Sequence, residues 1–409
     1  MTPKDWSLKL LGEVLECLDN KRVPINDTER QTLIGDVPYY GANGLQGYIN
    51  DYIFDEPLIL LAEDGGHYNE YQTRPIAYKI TGKSWVNNHA HVLRAPNPAD
   101  IDWFYYSLVH KDIRKHVNTG TRGKLNRADM NKIPLLIPPA IERRKIATIL
   151  ASVDDAIERT QSLIAQLGRV KQALLRNIVC RGLPGAHQRF RKIKDLREIP
   201  NDWTVVNLGD IAEKVTSGSR GWAEYYADEG KLFLRITNLT RDSITPDLSD
   251  IRYVMPPQGA EGSRTKVQTG DLLVSITADL GIIGRIPDGY PEAYINQHIA
   301  LVRLKPSAAM PDWVALFLAS PVGQIQFQRL NDPGAKAGLN LESIRRLTVV
   351  LPSLAEQQRI AALINGTDQA TVDEMSMLEQ LKVVKSGLMH VLLSGKKPVL
   401  ISTPHARTA

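Results

Sequence analysis

Cysteine is scarce: Cys17 and Cys180 stand alone in 409 residues, with no C-x-x-C spacing. That excludes a cysteine zinc site and fits a reducing cytoplasm. Long apolar runs are also missing. None approaches the ~18 residues needed to cross a bilayer, and the opening stretch MTPKDWSLKLLGEV has no positive segment ahead of an apolar one. Neither a membrane span nor a signal peptide is expected. Aromatics are few, at 6%, while 43% apolar and 23% charged residues are ordinary for a globular protein of two to four domains.

Catalytic signatures are absent as well. In TGTRGKLN (119–126) the pair Gly123-Lys124 is followed by Leu125, so the hydroxyl of a phosphate-binding loop is missing. There is no G-x-G-x-x-G and no Asn/Asp-Pro-Pro-aromatic tetrapeptide. Asp210, Glu229 and Lys231 could be read as nuclease residues, but acids scattered in this way arise by chance. His89 and His91 would face one way on a strand like metal ligands. With no third ligand nearby, one packed and one polar-paired histidine is the simpler reading. No catalytic residue, metal or bound cofactor is expected.

What is present is uneven charge. The net balance is only +5, yet residues 110–145 hold ten Lys and Arg against three acids, and 181–198 hold six against two. Such clusters suit a polyanion, nucleic acid above all, with a solvated surface as the alternative.

The chain also repeats itself. IPPAIERRKIATIL (137–150) aligns with LPSLAEQQRIAALI (351–364) at an offset of 214. GTRGKLN (120–126) faces GAKAGLN (334–340), DWFYYSL (102–108) faces DWVALFL (312–318), and NNHAHVLR (87–94) faces NQHIALVR (296–303). DWSLKLLGEV (5–14) faces DWTVVNLGDI (202–211) in the same order, so a domain of roughly two hundred residues is duplicated. Each copy begins with short strand-like runs such as PLILLAED, HAHVLRA, KLFLRITNL, DLLVSIT and IALVRLK, interrupted by a helical stretch at 102–116 or 312–329.

Each copy ends in a long helix. From Ile146 a seam runs through 150, 153, 157, 160, 164, 167, 171, 174 and 178, apolar except Thr160 and Lys171. From Ile360 the matching seam is less apolar, and Lys385 reproduces Lys171. Spacing of 3.5 over four heptads predicts a coiled coil. Ser353-x-x-Glu356 reads as a capping box, and Gly182-Leu-Pro184 and Gly395 with Pro398 as helix stops. Helices of this kind are ~55 Å long, and the simplest partner for each is its twin.

The loops carry recognition chemistry. PYYGANGLQGY (38–48) combines Tyr39, Tyr40, Asn43 and Gln46 with glycine turns, and amides can pair bidentately with adenine. GTRGKLN and GAKAGLN set Arg122, Lys124 and Lys336 beside glycine-freed backbone, suited to phosphate or guanine.

On these residues the sequence resembles the specificity (S) subunits of type I restriction–modification systems. The resemblance spans the chain and rests on LPSLAEQQRIAALI with its partner at 137–150, on GLNLESIRRLTVVLPS, LRITNL (234–239), GDLLVSITADLG (270–281) and INQHIALVRL (295–304), and on VPYYGANGLQGYINDYIFDE with WVNNHAHVL. The 137–150 copy departs from the Glu-Gln-Gln form, with Glu142-Arg143-Arg144. The resemblance implies an α+β protein: two tandem mixed α/β target-recognition domains separated by two long antiparallel coiled-coil helices. The bounds are 1–138 and 183–352 for the domains, 139–182 and 353–396 for the helices, and 397–409 for a disordered tail. It implies a non-catalytic subunit whose domains each read half of a bipartite, asymmetric duplex DNA target. S-adenosylmethionine, ATP and Mg belong to partner subunits: two methyltransferase subunits docked on the helices, and a restriction subunit where one is encoded. DNA-facing candidates are Tyr39, Tyr40, Asn43, Gln46, Asn88, Arg122, Lys124, Arg220, Asn238, Thr277, Gln297 and Lys336. Partner-facing candidates are Glu142, Ile149, Leu163, Glu356, Gln357, Leu363 and Met377. A stand-alone DNA-modifying enzyme and a coiled-coil DNA-binding scaffold remain the alternatives.

Overall fold

A computed structural model describes residues 5–119, 123–193, 198–218, 220–257, 259–330, 338–397 and 399. The chain divides into two compact units, Met1–Gln161 with Ser376–Ala409, and Ser162–Met375. The expected disordered tail at 397–409 falls almost wholly outside the described residues. No helix among those described is long and apolar enough to cross a membrane.

In unit 1 a four-stranded antiparallel sheet runs in the order Glu16–Cys17, Ala90–Arg94, Leu58–Ala62, Ala77–Ile80. All five residues of Leu58–Ala62 are buried, which explains a continuous apolar run. The strand period of two splits them between faces. Ile59 and Leu61 pack into the core containing the helix Ile101–Val109, whereas Leu58 and Leu60 face a second core. Burying each such side chain stabilises the unit by roughly 1.5–3 kcal/mol. A second sheet runs Gly44–Ile49, Val37–Gly41, Lys83–Val86, Phe54–Asp55, with the middle pair parallel. Ser7–Leu10 pairs with Pro134–Ile137 and closes the domain on itself.

Unit 2 repeats this plan. Its first sheet orders Ala212–Ser217, Ile299–Leu304, Leu272–Ser275 and Ile283–Arg285, and its second pairs Lys231–Leu234 in parallel with Ala293–Ile295. Thr204–Asn207 pairs with Thr348–Leu351 as the closing ribbon. The helical stretch expected at 312–329 is two helices, Pro311–Ala319 and Pro321–Leu330. Ser320 between them is extended (ψ 158), the conformation favoured before a proline. In unit 1 the helical stretch ends earlier, at Val109, with a short 3-10 turn at Arg114–His116.

The long helices are Ala140–Arg181 and Leu354–Leu392. All ten seam positions of each are buried or half-buried. The two seam lysines, a polar break in an apolar stripe, each reach an aspartate on the other helix within their own unit. Lys171 Nζ lies 2.6 Å from Asp368 in unit 2, and Lys385 Nζ lies 2.5 Å from Asp154 in unit 1. These are one pair made twice, since both members shift by the repeat offset. Gly182 (φ 72) and Gly395 (φ 68) adopt the left-handed conformation expected of helix stops.

Each long helix is anchored to its domain by a tryptophan cluster. Trp6 and Trp103 meet edge to face at 5.6 Å, as do Trp203 and Trp313. The Trp6 indole donates to Glu142 (3.0 Å) and the Trp203 indole to Glu356 (3.2 Å). The capping box therefore forms only in its serine half, with Glu356 N donating to Ser353 Oγ at 3.3 Å. The Glu356 carboxylate turns inward instead, accepting from Trp203, from His187 Nε2 (2.9 Å) and from Leu183 N (3.4 Å).

Candidate nucleic-acid interface

In both units three loops meet at one edge of the first sheet, held by the same backbone bonds. In unit 1 Glu63 N donates to His89 O (2.8 Å) and Leu125 N to Glu63 O (2.8 Å), while Asp64 and Lys124 bridge. In unit 2 Ile276 N donates to His298 O (3.0 Å) and Leu339 N to Ile276 O (2.8 Å), while Thr277 and Gly338 bridge. His89 N donates to the Asn87 side chain (2.8 Å) and His298 N to that of Asn296 (3.1 Å). A loop frame fixed by backbone bonds leaves the side chains at its rim free to vary, which suits recognition.

The rims do differ. Unit 2 presents a polar chain: Thr277 Oγ1 lies 2.7 Å from His298 Nδ1, and Gln297 Nε2 lies 3.1 Å from His298 Nε2. All three are half-buried, so each keeps an edge for a ligand. Unit 1 presents charge at the same place. His89 Nδ1 is 3.6 Å from Asp64, and the Lys124 ammonium is 3.7 Å from Glu63 and half exposed. The hairpin Val37–Ile49 leans on this edge, where Asn43 Nδ2 donates to Gly65 O (3.2 Å) and Asn87 Nδ2 to Gln46 Oε1 (3.3 Å). Asn43, Gln46 and Asn88 are exposed, so the structure brings them to one surface with Lys124.

Other candidates fall elsewhere. Tyr39 is 2% exposed and packs in the core. Tyr40 is half-buried, and burial raises its hydroxyl pKa. The exposed aromatics nearby are Tyr48 and Tyr52, which the reading of the loop passed over. Strand alternation points to Tyr48, which pairs with Pro38 on the neighbouring strand. Asn238 is a correction. Fully buried, it donates to Asp247 O and Asp250 O (both 2.9 Å) and accepts from Arg235 N, so its amide braces its own loop. Arg220 is exposed. Arg122 and Lys336 lie outside the described residues.

The basic cluster at 110–145 is largely spoken for. Arg143 and Arg144 both pair with Asp100, which is 3% exposed; Arg114 pairs with Asp112 and Lys132 with Asp129. Despite burial, which raises it, the Asp100 pKa is lowered by its two guanidinium partners. The departure of Glu142-Arg143-Arg144 from Glu-Gln-Gln thereby gains a physical meaning. Where unit 1 ties its helix to Asp100 by two arginines, unit 2 uses Gln357, whose Oε1 accepts from Met310 N at 2.8 Å. Glu356 and Gln357 are buried, a second correction, because neither offers a face to a partner. Glu142 is half-buried under Trp6. Ile149 packs against the unit 1 core, while Leu163, Leu363 and Met377 are exposed apolar side chains.

Sequence reasoning missed a buried charge cluster beneath the unit 1 edge. Cys17, Asp19 and His91 place ligand atoms within 4.8 Å of one another, a spacing open to a metal. Here the ring nitrogens are both committed, Nδ1 to Asp19 (2.6 Å) and Nε2 to Leu125 O (2.8 Å), and Arg22 stands 3.3 Å from Asp19. These contacts join the three side chains and Arg22 into one ion network. No local signal marks it, because its members come from segments up to about a hundred residues apart.

Comparison with known proteins bears on these edges. The family model for the type I restriction modification DNA specificity domain matches residues 3–169 and 200–381. A Haemophilus influenzae protein bearing the name of a type I restriction enzyme specificity subunit is 25% identical over 90% of this chain and 88% of its own. The MjaVIII specificity subunit of Methanocaldococcus jannaschii is 22% identical over 96% of this chain and 93% of its own. The solved S subunit of a type I restriction–modification system from M. genitalium shares the fold, with TM-score 0.60 and 14% identity over 96% of this chain and 99% of that one.

Proposed function

Because the chain belongs to the type I restriction modification DNA specificity domain family, we propose that its two units each read one half of a bipartite DNA target. The chain is a non-catalytic DNA specificity subunit of a type I restriction–modification system. A stand-alone modifying enzyme is not favoured. The observation that carries the two-word reading is the loop frame built twice with different rims: Asp64, His89 and Lys124 in one unit, Thr277, Gln297 and His298 in the other. Phosphate contacts position such a protein on DNA, and side chains at base edges specify the word. Two unlike rims therefore predict two unlike words.

The helices act as an antiparallel coiled-coil spacer in this reading, supported by the reciprocal lysine–aspartate pairs and the two covered seams. Leu163, Leu363 and Met377 present apolar surface, which favours contact with two methyltransferase subunits. S-adenosylmethionine stays with those subunits, and ATP and Mg with a restriction subunit. The complex acts on duplex DNA in the cytoplasm, away from membranes.

The test is to express the chain with its methyltransferase subunit and map methylated sites across a genome. Two different words separated by an unread gap are expected. Thr277→Ala with Gln297→Ala should relax one word only, and Gln46→Ala the other. A single contiguous word, or both words changing together, would refute the two-reader scheme.

A further inference from the structure

All three loops of the unit 1 edge hang on the buried charge cluster. Asp19 Oδ1 accepts from Val92 N (2.9 Å), and its other oxygen faces His91 Nδ1 at 2.6 Å. The His91 ring, 1% exposed, turns Nε2 to the Leu125 carbonyl at 2.8 Å. Arg22 donates to Glu63 (2.7 Å), Asn88 O (3.3 Å) and Ala90 O (2.7 Å). Glu63 in turn lies 3.6 Å from His91 Nδ1 and 3.7 Å from Lys124. Loops 63–64, 88–90 and 124–125 are thus each bonded to one network.

The chemistry of the acceptors fixes the state of the ring. A backbone carbonyl can only accept, and an ionised carboxylate can only accept, so a ring bridging the two must donate from both nitrogens. Only the imidazolium does that. Burial would pull the His91 pKa down, but the Asp19 hydrogen bond, aided by Cys17 and Leu125, outweighs it and pushes the pKa up to about 9. Asp19 is held below the usual carboxylate range by the same contact, against the opposing effect of burial.

Unit 2 has no buried histidine at the matching strand position; His298 sits at the rim between Thr277 and Gln297. Ala300 stands where His91 stands, and strand pairing puts Val215 and Ser217 at the places of Cys17 and Asp19. There Arg264 donates to Ser217 O and Thr216 Oγ1.

We propose that His91 is a positioning residue for DNA reading by unit 1 alone, clamping the Leu125 loop to Asp19 as a doubly donating imidazolium. The proposal rests on the reading of unit 1 as one half-site reader. The groups facing the ring are Cys17, Asp19, Arg22, Glu63 and Lys124, and at the rim Asp64 and His89. Because the folded pKa lies above the ordinary 6.5, the clamp is complete below that value and is lost as pH climbs through about 9. One nitrogen then faces an acceptor without a proton, and the loop carrying Lys124 loosens.

The experiment uses the chain assembled with its methyltransferase subunits and the two words found by methylation mapping. Affinities are measured for duplexes with one wrong base pair in either word, at pH 7.5 and 9.5. A mismatch ordinarily costs ~5–100-fold in affinity. For the unit 1 word that penalty should fall ~tenfold at pH 9.5, while the unit 2 word keeps its own. His91→Gln should show the lowered unit 1 penalty at both pH values, with no pH dependence left. Independently, histidine-labelled full chain should show both His91 ring nitrogens protonated at pH 7.5 by 15N shift. A neutral ring, an equal loss in both words, or an unchanged pH profile in His91→Gln would overturn the clamp. If no two-word target emerged from the mapping, the half-site reading would fall first, while the ring measurement would still judge the clamp.

Discussion

Glu356→Ala separates a structural glutamate from a partner-binding one. The carboxylate accepts from two buried donors, the Trp203 indole (1% exposed) and His187 Nε2. Removing it orphans both, at about 1–2 kcal/mol each, and the shortened side chain leaves a void beside Trp203. A loss of about 3–4 kcal/mol follows. For a unit the size of Ser162–Met375, that corresponds to a fall of about 10 °C in the unit 2 melting transition. Glu142→Ala orphans one indole, that of Trp6, so it should cost about half as much and act on the unit 1 transition. Differential scanning calorimetry of the purified chain reads both, and pull-down of the methyltransferase subunit, run well below the transitions, reads docking. If Glu356→Ala melted within about 2 °C of the parent yet captured no partner, the inward-turned carboxylate would be wrong.

Lys171→Met leaves Asp368 without its cation and should cost about 1 kcal/mol, whereas exchanging the charges as Lys171→Asp with Asp368→Lys should recover most of it. A double-mutant cycle by urea unfolding with no coupling would refute the helix pairing. Leu363→Asp should leave the chain folded but weaken methyltransferase capture; undiminished capture would move that interface elsewhere. Gly182→Ala should lower the unit 2 melting temperature, because φ is 72 and a Cβ would meet the His187 ring at 2.5 Å and Glu356 at 2.7 Å. Seven residues inserted at Ser162 and seven at the matching turn of the second helix keep the seam in register and add ~10 Å. At ~3.4 Å per base pair the unread gap should grow by about three, with both words intact; methylation mapping showing an unchanged gap would deny the helices their spacing role.

Which features were legible in the sequence follows from the range of the forces behind them. The seam of the first helix could be read because its cause is local: positions 3.5 residues apart share a face whatever they pack on, and all ten are shielded. The seam lysines could be noticed but not explained, since Asp154 and Asp368 lie on the other helix and only pairing brings them near. Glu356 shows how a local rule can point at the right residue for the wrong reason. A serine three residues ahead makes it a capping glutamate by pattern, yet the buried Trp203 indole and His187 Nε2 both turn to its carboxylate, while His187 Nδ1 faces Asp202. An orphaned buried donor costs more than a cap contributes at an exposed helix end, so the carboxylate turns inward. The same competition governs the reading edges. Asn238 and Tyr39 have the chemistry of base readers, but loop hydrogen bonds and core packing claim them first. Gln297, Thr277 and Asn43 each make an internal hydrogen-bond contact yet keep an open edge, because the frame beneath them is satisfied by its own backbone. A polar side chain is free to read DNA only where the fold has met its internal hydrogen-bonding needs by other means, and that surplus is visible only once the loops have been brought together.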